Sequence, residues 1–430
     1  MADTEWISAA EAASRLGIKQ ATLYSYVSRG VLNRRRAPGG SPAGGGRGSG
    51  KGSRFDAGEV EELARRGRPR RPPGLAGLVI ESGVTEISGE RLWFRGLDAL
   101  DLARDWDFED VCDLLWLGQT RPGEAGPGEW QATPAAIAAG TAAQAALPPG
   151  TFPLERLQVI VPALAAADPL RLQFDPPAVA AAGRAIIAGL VDCLPPAGPG
   201  PQSAGGIPAR LWPILCPDDP PPALLDALRA ALVLLADHEL AASTLAARVA
   251  ASVRADPYAV VATGLGAVGG ALHGGASLGA ETMLAAAQDA AGAPRVVGEL
   301  LRRGERVPGF GHFVYRTGDP RAGLLLAMVR RAVPASPRLA VVDAVLAEMH
   351  RRSLPEPNID FALAVLATCA GMIRGAGEVI FAVARTAGWL AHALEEYTAR
   401  TPLRPRAVYT GPAHRQADPG QRELPGSPHD

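Results

Sequence analysis

The sequence predicts a mainly α protein, an all-α body preceded by a small head of two helices and a wing. Three observations predict it. Helical patterns with Pro in their first turn recur along the body, no long strands alternate with them, and a Gly- and Pro-rich stretch separates a basic head from an acidic remainder. The chain has 430 residues, 47% hydrophobic and 5% aromatic, enough apolar chain for a large core and too much for wholesale disorder. Its 50 Gly follow no three-residue period, which excludes collagen. With 43 basic and 44 acidic residues the net charge is −1, so no global field drives the molecule onto nucleic acid or anionic lipid. The halves differ, however: residues 1–71 carry 14 Lys and Arg against 7 Asp and Glu, the rest 29 against 37.

In the head, Ser8 is placed to cap a helix through Ala9–Leu16, with Glu11 at the capping-box position, and Gly17 ends it. Ala21–Arg29 reads as a second helix stopped by Gly30, and the pair forms a helix-turn-helix pattern. Arg34-Arg35-Arg36 follows, then a flexible Gly/Ser/Pro loop over 37–53. Arg54-Phe55-Asp56 reads as a short strand, with Asp56 capping a helix Ala57–Arg66, and Arg68–Pro73 is a linker. This head, over roughly 65 residues, resembles the MerR-like or excisionase-like winged helix-turn-helix family, which implies DNA as a partner through residues 1–71. A helical packing or dimerisation module is the competing reading of the same residues.

The body opens on two strand-like pieces, Val79–Val84 and Arg91–Phe94, joined through Ser88-Gly89. Helices are then expected at Asp107–Leu117, Pro134–Ala146, Pro177–Val191, Pro222–Ala236, Leu240–Val253 and Pro257–Val268. More follow at Ser277–Ala291, Pro294–Arg302, Pro320–Val333, Pro337–Arg352, Phe361–Gly371 and Val379–Thr398. Arg121–Trp130 and Leu194–Ile207 read as irregular, and the tail 413–430 as disordered. Cys112, Cys193, Cys216 and Cys369 form no CxxC, which fits reduced thiols. The opening Met1-Ala2-Asp3-Thr4-Glu5 does not read as a signal peptide and no apolar stretch reads as a membrane span, so a cytoplasmic location without membrane contact is expected.

Gly264-Leu265-Gly266-Ala267-Val268-Gly269 matches the GxGxxG dinucleotide pattern. The residues before it read as helix rather than strand, so small residues on a packed helix explain it better. Three histidine segments carry more: Asp237-His238-Glu239-Leu240, Ala271-Leu272-His273-Gly274-Gly275, and Gly309-Phe310-Gly311-His312-Phe313-Val314-Tyr315-Arg316. A fourth segment is Pro357-Asn358-Ile359-Asp360-Phe361. Each sets a polar side chain beside Gly or Pro at an element boundary, where glycine lets a ligand approach the backbone.

Together these segments make the body resemble the citrate synthase family, including the 2-methylcitrate synthases, over about residues 75–412. The stretch from Gly309 to Arg321 fits the family's signature, and Ala384–Trp389 and Arg404-Pro405-Arg406 match near the C-terminus. The resemblance implies an all-α large domain (75–274 and 373–412) and a small domain (275–372) that closes over the substrate. It implies a Claisen-type condensation of acetyl-CoA with oxaloacetate, followed by hydrolysis to citrate and CoA. Asp360 is then the general base on the acetyl methyl group, and His273 the donor to the thioester oxygen. His312 polarises the oxaloacetate ketone. Arg321, Arg385 and Arg404 bind carboxylates, with His238 as a further contact, and Arg316 meets the CoA phosphates. Arg404 reaches the neighbouring subunit's site, so a homodimer is expected. No permanently bound cofactor and no metal are implied. Two other readings use the same residues: a 2-methylcitrate synthase taking propionyl-CoA, and a metabolite-sensing DNA-binding regulator on this fold.

Overall fold

The computed structural model describes residues 6–16, 23, 27, 32, 34–36, 53–65, 80–118, 130–199, 205–270, 273–399 and 401–405. The chain divides into two compact units, residues 81–404 and the remainder. In the smaller unit, β1 (Trp6–Ser8), α1 (Ala9–Arg15), β2 (Arg34–Arg36), β3 (Ser53–Asp56) and α2 (Ala57–Arg65) follow in order, the strands pairing antiparallel as β1-β3-β2. Ser8 Oγ accepts the Glu11 amide at 3.2 Å, and Asp56 accepts those of Gly58 and Glu59, so both expected caps are present. The Glu11 carboxylate takes Arg15 at 2.7 Å in place of the capping-box bond. Ile7, Leu23, Leu32, Phe55 and Val60 form a small core of their own. Three-residue β1 is too short to show alternation, and the basic run 34–36 is a strand. The expected helix Ala21–Arg29 lies outside the described residues except for Leu23 and Val27; the loop 37–52, the linker 68–73 and the tail 413–430 lie outside them entirely.

The larger unit opens with an antiparallel meander, β4 (Thr85–Ser88), β5 (Arg91–Phe94) and β6 (Leu97–Asp98). Gly89 and Glu90 both lie in the left-handed region (φ 59° and 60°), and Ser88 pairs with Arg91. That is a two-residue turn of the type that matches strand twist. The turn fixes the register, so the first strand is Thr85–Ser88 rather than the expected Val79–Val84.

Helices fill the rest: α3 (Ala99–Asp105), α4 (Phe108–Leu117), α5 (Pro134–Ala145), α6 (Pro153–Ala166), α7 (Pro176–Asp192), α8 (Ile207–Leu215), α9 (Pro222–Leu235), α10 (Ala242–Ser252), α11 (Pro257–Val268), α12 (Gly275–Ala286), α13 (Ala293–Arg302), α14 (Pro320–Ala332), α15 (Pro337–Arg351), α16 (Ile359–Ala370) and α17 (Ala376–Ala399). Asp175, Asp256 and Asp319 cap α7, α11 and α14 just ahead of a first-turn Pro. The expected Ser277–Ala291 helix stops at Ala286, with a short 3-10 turn at Ala290–Gly292. The expected start at Leu240 slips to Ala242 because Glu239 is left-handed (φ 53°). Helices α3, α6 and α8 were not expected. The first is only seven residues long, and the others carry Pro162 and Pro213 in their interiors, which read as breakers in sequence.

The 24-residue α17 is the spine of the core, buried continuously from Ala376 to Leu394. Trp389 on it lies against Gly264 of α11, where a Cβ would stand 2.5 Å from the indole. The GxGxxG run is thus a close helix–helix crossing. No described helix is long and apolar enough to cross a membrane.

Candidate active site

Two loops meet ahead of α16. The Asn358 amide donates to the Gly309 carbonyl and its Nδ2 to the Gly311 carbonyl, both at 2.9 Å, and the Gly311 amide donates to Glu356 O at 2.8 Å. Asn358 Oδ1 also accepts the Asp360 and Phe361 amides, so one side chain caps α16 and pins the loop that carries His312. Gly309 is required here: its φ is 80°, and a Cβ would sit 2.8–3.0 Å from the backbone and Cβ of Phe361.

His312 follows directly. Its Nδ1 accepts the Val314 amide at 3.0 Å and the Tyr315 amide at 3.4 Å, which leaves its ring proton on Nε2 when the imidazole is neutral. The ring packs 4.7 Å from Tyr315 and 5.2 Å from His238, and the Tyr315 hydroxyl meets His238 Nε2 at 3.0 Å. His238 itself sits on the turn that leaves α9.

Two buried guanidiniums flank this group. Arg321 makes parallel bonds to Asp319 at 3.0 and 2.8 Å, and Asp319 Oδ2 also accepts the Ile359 amide at 3.0 Å, next to Asp360. Arg385, from α17, donates Nε to the Leu235 carbonyl at 2.7 Å and lies 4.6 Å over Phe381. The same phenyl ring meets His273 edge-on at 5.6 Å, and His273 Nε2 contacts Ser243 Oγ at 2.8 Å.

Burial sets the protonation states. It pushes His273 and His312 down to about 4, helped by the cations Arg385 and Arg321 respectively. It also holds His238 well below its usual value, again with Arg321 and Arg385 adding. All three imidazoles are therefore neutral at pH 7. The Asp360 carboxyl is pushed up to about 6 by burial, with Arg321 pulling it back and Asp319 adding to the rise. Arg385 comes down to about 10 through burial, and Asp237 is the charge that opposes this most. Such an arrangement can take a proton onto a moderately basic carboxylate and donate hydrogen bonds from neutral rings. Its two fixed cations can hold an anion.

The structure therefore brings His238, His273, His312, Asp360, Arg321 and Arg385 into one neighbourhood. Arg316 is exposed, its amide bonded to Glu90 at 2.9 Å, and Arg404 is exposed near the end of the unit. Neither is among the cations acting on the histidines or Asp360. Sequence reasoning gave no role to Tyr315, Asp319, Ser243, Asn358 or Phe381. Asp319 and Tyr315 fall inside the segment already singled out. Ser243 and Phe381 reach His273 only through the fold.

Comparison with known proteins bears on the family and the fold. The family model for the citrate synthase C-terminal domain matches residues 74–406. Citrate synthase 2 of Bacillus subtilis is 32% identical over 374 residues, covering 79% of this chain and 95% of the relative. A 2-methylcitrate synthase of Mycobacterium tuberculosis is 30% identical over 382 residues, covering 84% and 94%. Among solved structures, the ternary complex of carboxymethyl coenzyme A and oxaloacetate with citrate synthase from Thermoplasma acidophilum aligns with a TM-score of 0.67 at 24% identity, over 79% of this chain and 96% of that one.

Proposed function

The chain belongs to the citrate synthase family and is an acyltransferase of that type; on that premise we propose what each side chain in its site does. Oxaloacetate places its carboxylates on Arg321 and Arg385, with His238 as a further donor. The His312 Nε2–H polarises the ketone and then holds the alkoxide that forms. Asp360 takes a proton from the acetyl methyl group while His273 donates to the thioester oxygen, so the enolate's charge is met as it develops. When Ser243 donates to His273 Nε2, the ring proton sits on Nδ1, free for this purpose. A carbon–carbon bond then forms between the methyl carbon and the ketone carbon. Water cleaves the resulting thioester, releasing citrate and CoA. Acetyl-CoA is a substrate, not a resident cofactor.

One observation carries the reading: a carboxylate of raised basicity lies in the field of two buried guanidiniums, of which Arg385 also acts on the neutral His273 and Arg321 on the neutral His312. Thiol release with oxaloacetate, measured with acetyl-CoA and propionyl-CoA, tests it. The expected result is turnover with the higher kcat/KM for acetyl-CoA. A higher kcat/KM for propionyl-CoA would replace the assignment with 2-methylcitrate synthesis. Absence of thiol release with either would remove both.

The active unit we propose is a homodimer in which Arg404 serves the partner's site. The exposed, unpartnered apolar side chains Leu245, Val249 and Val253 support it, since they recur every four residues along one face of α10 and just beyond it. Light scattering of the purified chain should give twice the monomer mass. The left-handed Gly371 and Gly375 between α16 and α17 support residues 275–372 as the closing domain, and exposed Arg316 is left for the CoA phosphates. The β2–β3 pair followed by α2 supports the winged helix-turn-helix reading of the head, with DNA as its partner.

A further inference from the structure

Behind the groups proposed to face substrate lies a second polar network, centred on the fully buried Asp237 and His392. The chain leaves α9 at Leu235 and turns through Ala236, Asp237, His238 and Glu239. Asp237 has no exposed surface. Its Oδ2 accepts the Thr85 hydroxyl at 2.6 Å, the Glu239 amide at 3.2 Å and His392 Nε2 at 3.2 Å. The bond to Glu239 closes an Asx turn with His238 at its apex. His392 is fixed from its other side, where Arg248 Nη1 donates to Nδ1 at 2.7 Å; this leaves the imidazole proton on Nε2, aimed at Asp237. Arg248 is itself clamped by Glu395 and Glu396 at 2.6 and 2.5 Å.

Asp237 Oδ1, in contrast, has no hydrogen-bond partner among the described residues. The α17 backbone passes so close that a Cβ on Gly388 would stand 2.2 Å from it, so the helix bearing Arg385 and His392 is shaped around this carboxylate. A buried carboxylate with one oxygen unpaired is costly to keep, and each such group asks for a reason.

We propose that Asp237 is a positioning residue for the carboxylate-binding end of the site, fixing the turn that presents His238 and supplying the fixed negative charge behind Arg385, with His392 orienting it. The proposal rests on the reading that His238 and Arg385 hold oxaloacetate. The electrostatics agree with the geometry. Arg385 faces Asp237, Arg321, Asp360 and Tyr315, and also the imidazoles His238 and His273; Asp237 is the largest support for its cation, and Arg321 opposes it. In return, His392, Arg385 and Thr85 keep Asp237 ionised against its burial.

Asp237→Asn separates the two tasks, because asparagine closes the same Asx turn but carries no charge. The expected result is an oxaloacetate KM raised about tenfold or more, with the acetyl-CoA KM unchanged and kcat reduced far less than the KM rises. The alkaline limb of oxaloacetate binding should also move to lower pH, since Arg385 loses its main support. A purely structural role would lower the melting temperature and leave that limb where it is. An unchanged oxaloacetate KM or an unmoved limb overturns the proposal. Should Asp237→Asn not fold, His392→Leu replaces it under the same two readouts, with His392→Gln, which keeps a donor toward Asp237, expected to restore the wild-type values. If the wild-type chain releases no thiol with oxaloacetate at all, the functional reading has failed and the proposal falls with it, whereas a wild type that turns over beside a variant of unchanged KM overturns the proposal alone.

Discussion

Asp360→Asn should lower kcat by roughly 10²–10⁴-fold while oxaloacetate binding persists. The substitution removes the proposed acceptor of the methyl proton and leaves Arg321 paired with Asp319 and Arg385 bonded to Leu235. The same change should raise thermal stability at pH 8. Asp360 rises from 3.8 in its ordinary state to about 6 in the fold, so the fold favours the protonated form. That contribution is fully present below pH 4 and is lost as pH rises through 6. Above that, the ionised carboxylate is held at a cost that asparagine does not carry. The melting temperature of the variant should therefore exceed that of the wild type at pH 8, and the gap should close toward pH 4. Wild-type activity should show an acid limb near pH 6, with the histidines contributing nothing until about 4. A variant that keeps more than a tenth of the activity would show that the proton goes elsewhere.

His312→Asn should cost about 10²–10³-fold in kcat with little change in melting temperature. The asparagine oxygen can stand where Nδ1 accepts the Val314 and Tyr315 amides, so the turn survives. What disappears is the Nε2–H proposed to polarise the ketone. A donor that acts on developing charge should affect kcat more than the oxaloacetate KM. Steady-state kinetics beside a thermal melt checks both, and a change confined to KM would reduce His312 to a binding contact.

Much of this site was legible in the chain because its polar groups sit at element boundaries, where Gly, Pro and capping residues mark the backbone. The sequence sets Asp360 just ahead of a helix beginning at Phe361; Asn358 caps that helix in the fold, which puts Asp360 in its first turn. His312 follows two glycines, Gly309 and Gly311, whose left-handed backbone shapes the loop that joins it to α16. The first-turn prolines at 134, 222, 257, 320 and 337 fixed the starts of five helices to the residue. What escaped depends on contacts between distant segments. Asp319 caps α14 with one oxygen, and its second oxygen reaches Ile359. Thr85, Asp237 and His392 come together from three elements, and no local pattern relates them. Interior prolines hid α6 and α8, since tertiary burial outweighs the bond each proline removes.

The central claim is that Asp360, His273 and His312 converge on the two reacting carbons. A crystal structure with oxaloacetate and an unreactive thioether analogue of acetyl-CoA tests it most directly. The account predicts the carbon equivalent to the methyl group beside the Asp360 carboxylate, the analogue's oxygen facing His273, and the ketone within hydrogen-bond reach of His312 Nε2. Ligands bound away from these three side chains, or oxaloacetate carboxylates that touch neither Arg321 nor Arg385, would contradict it.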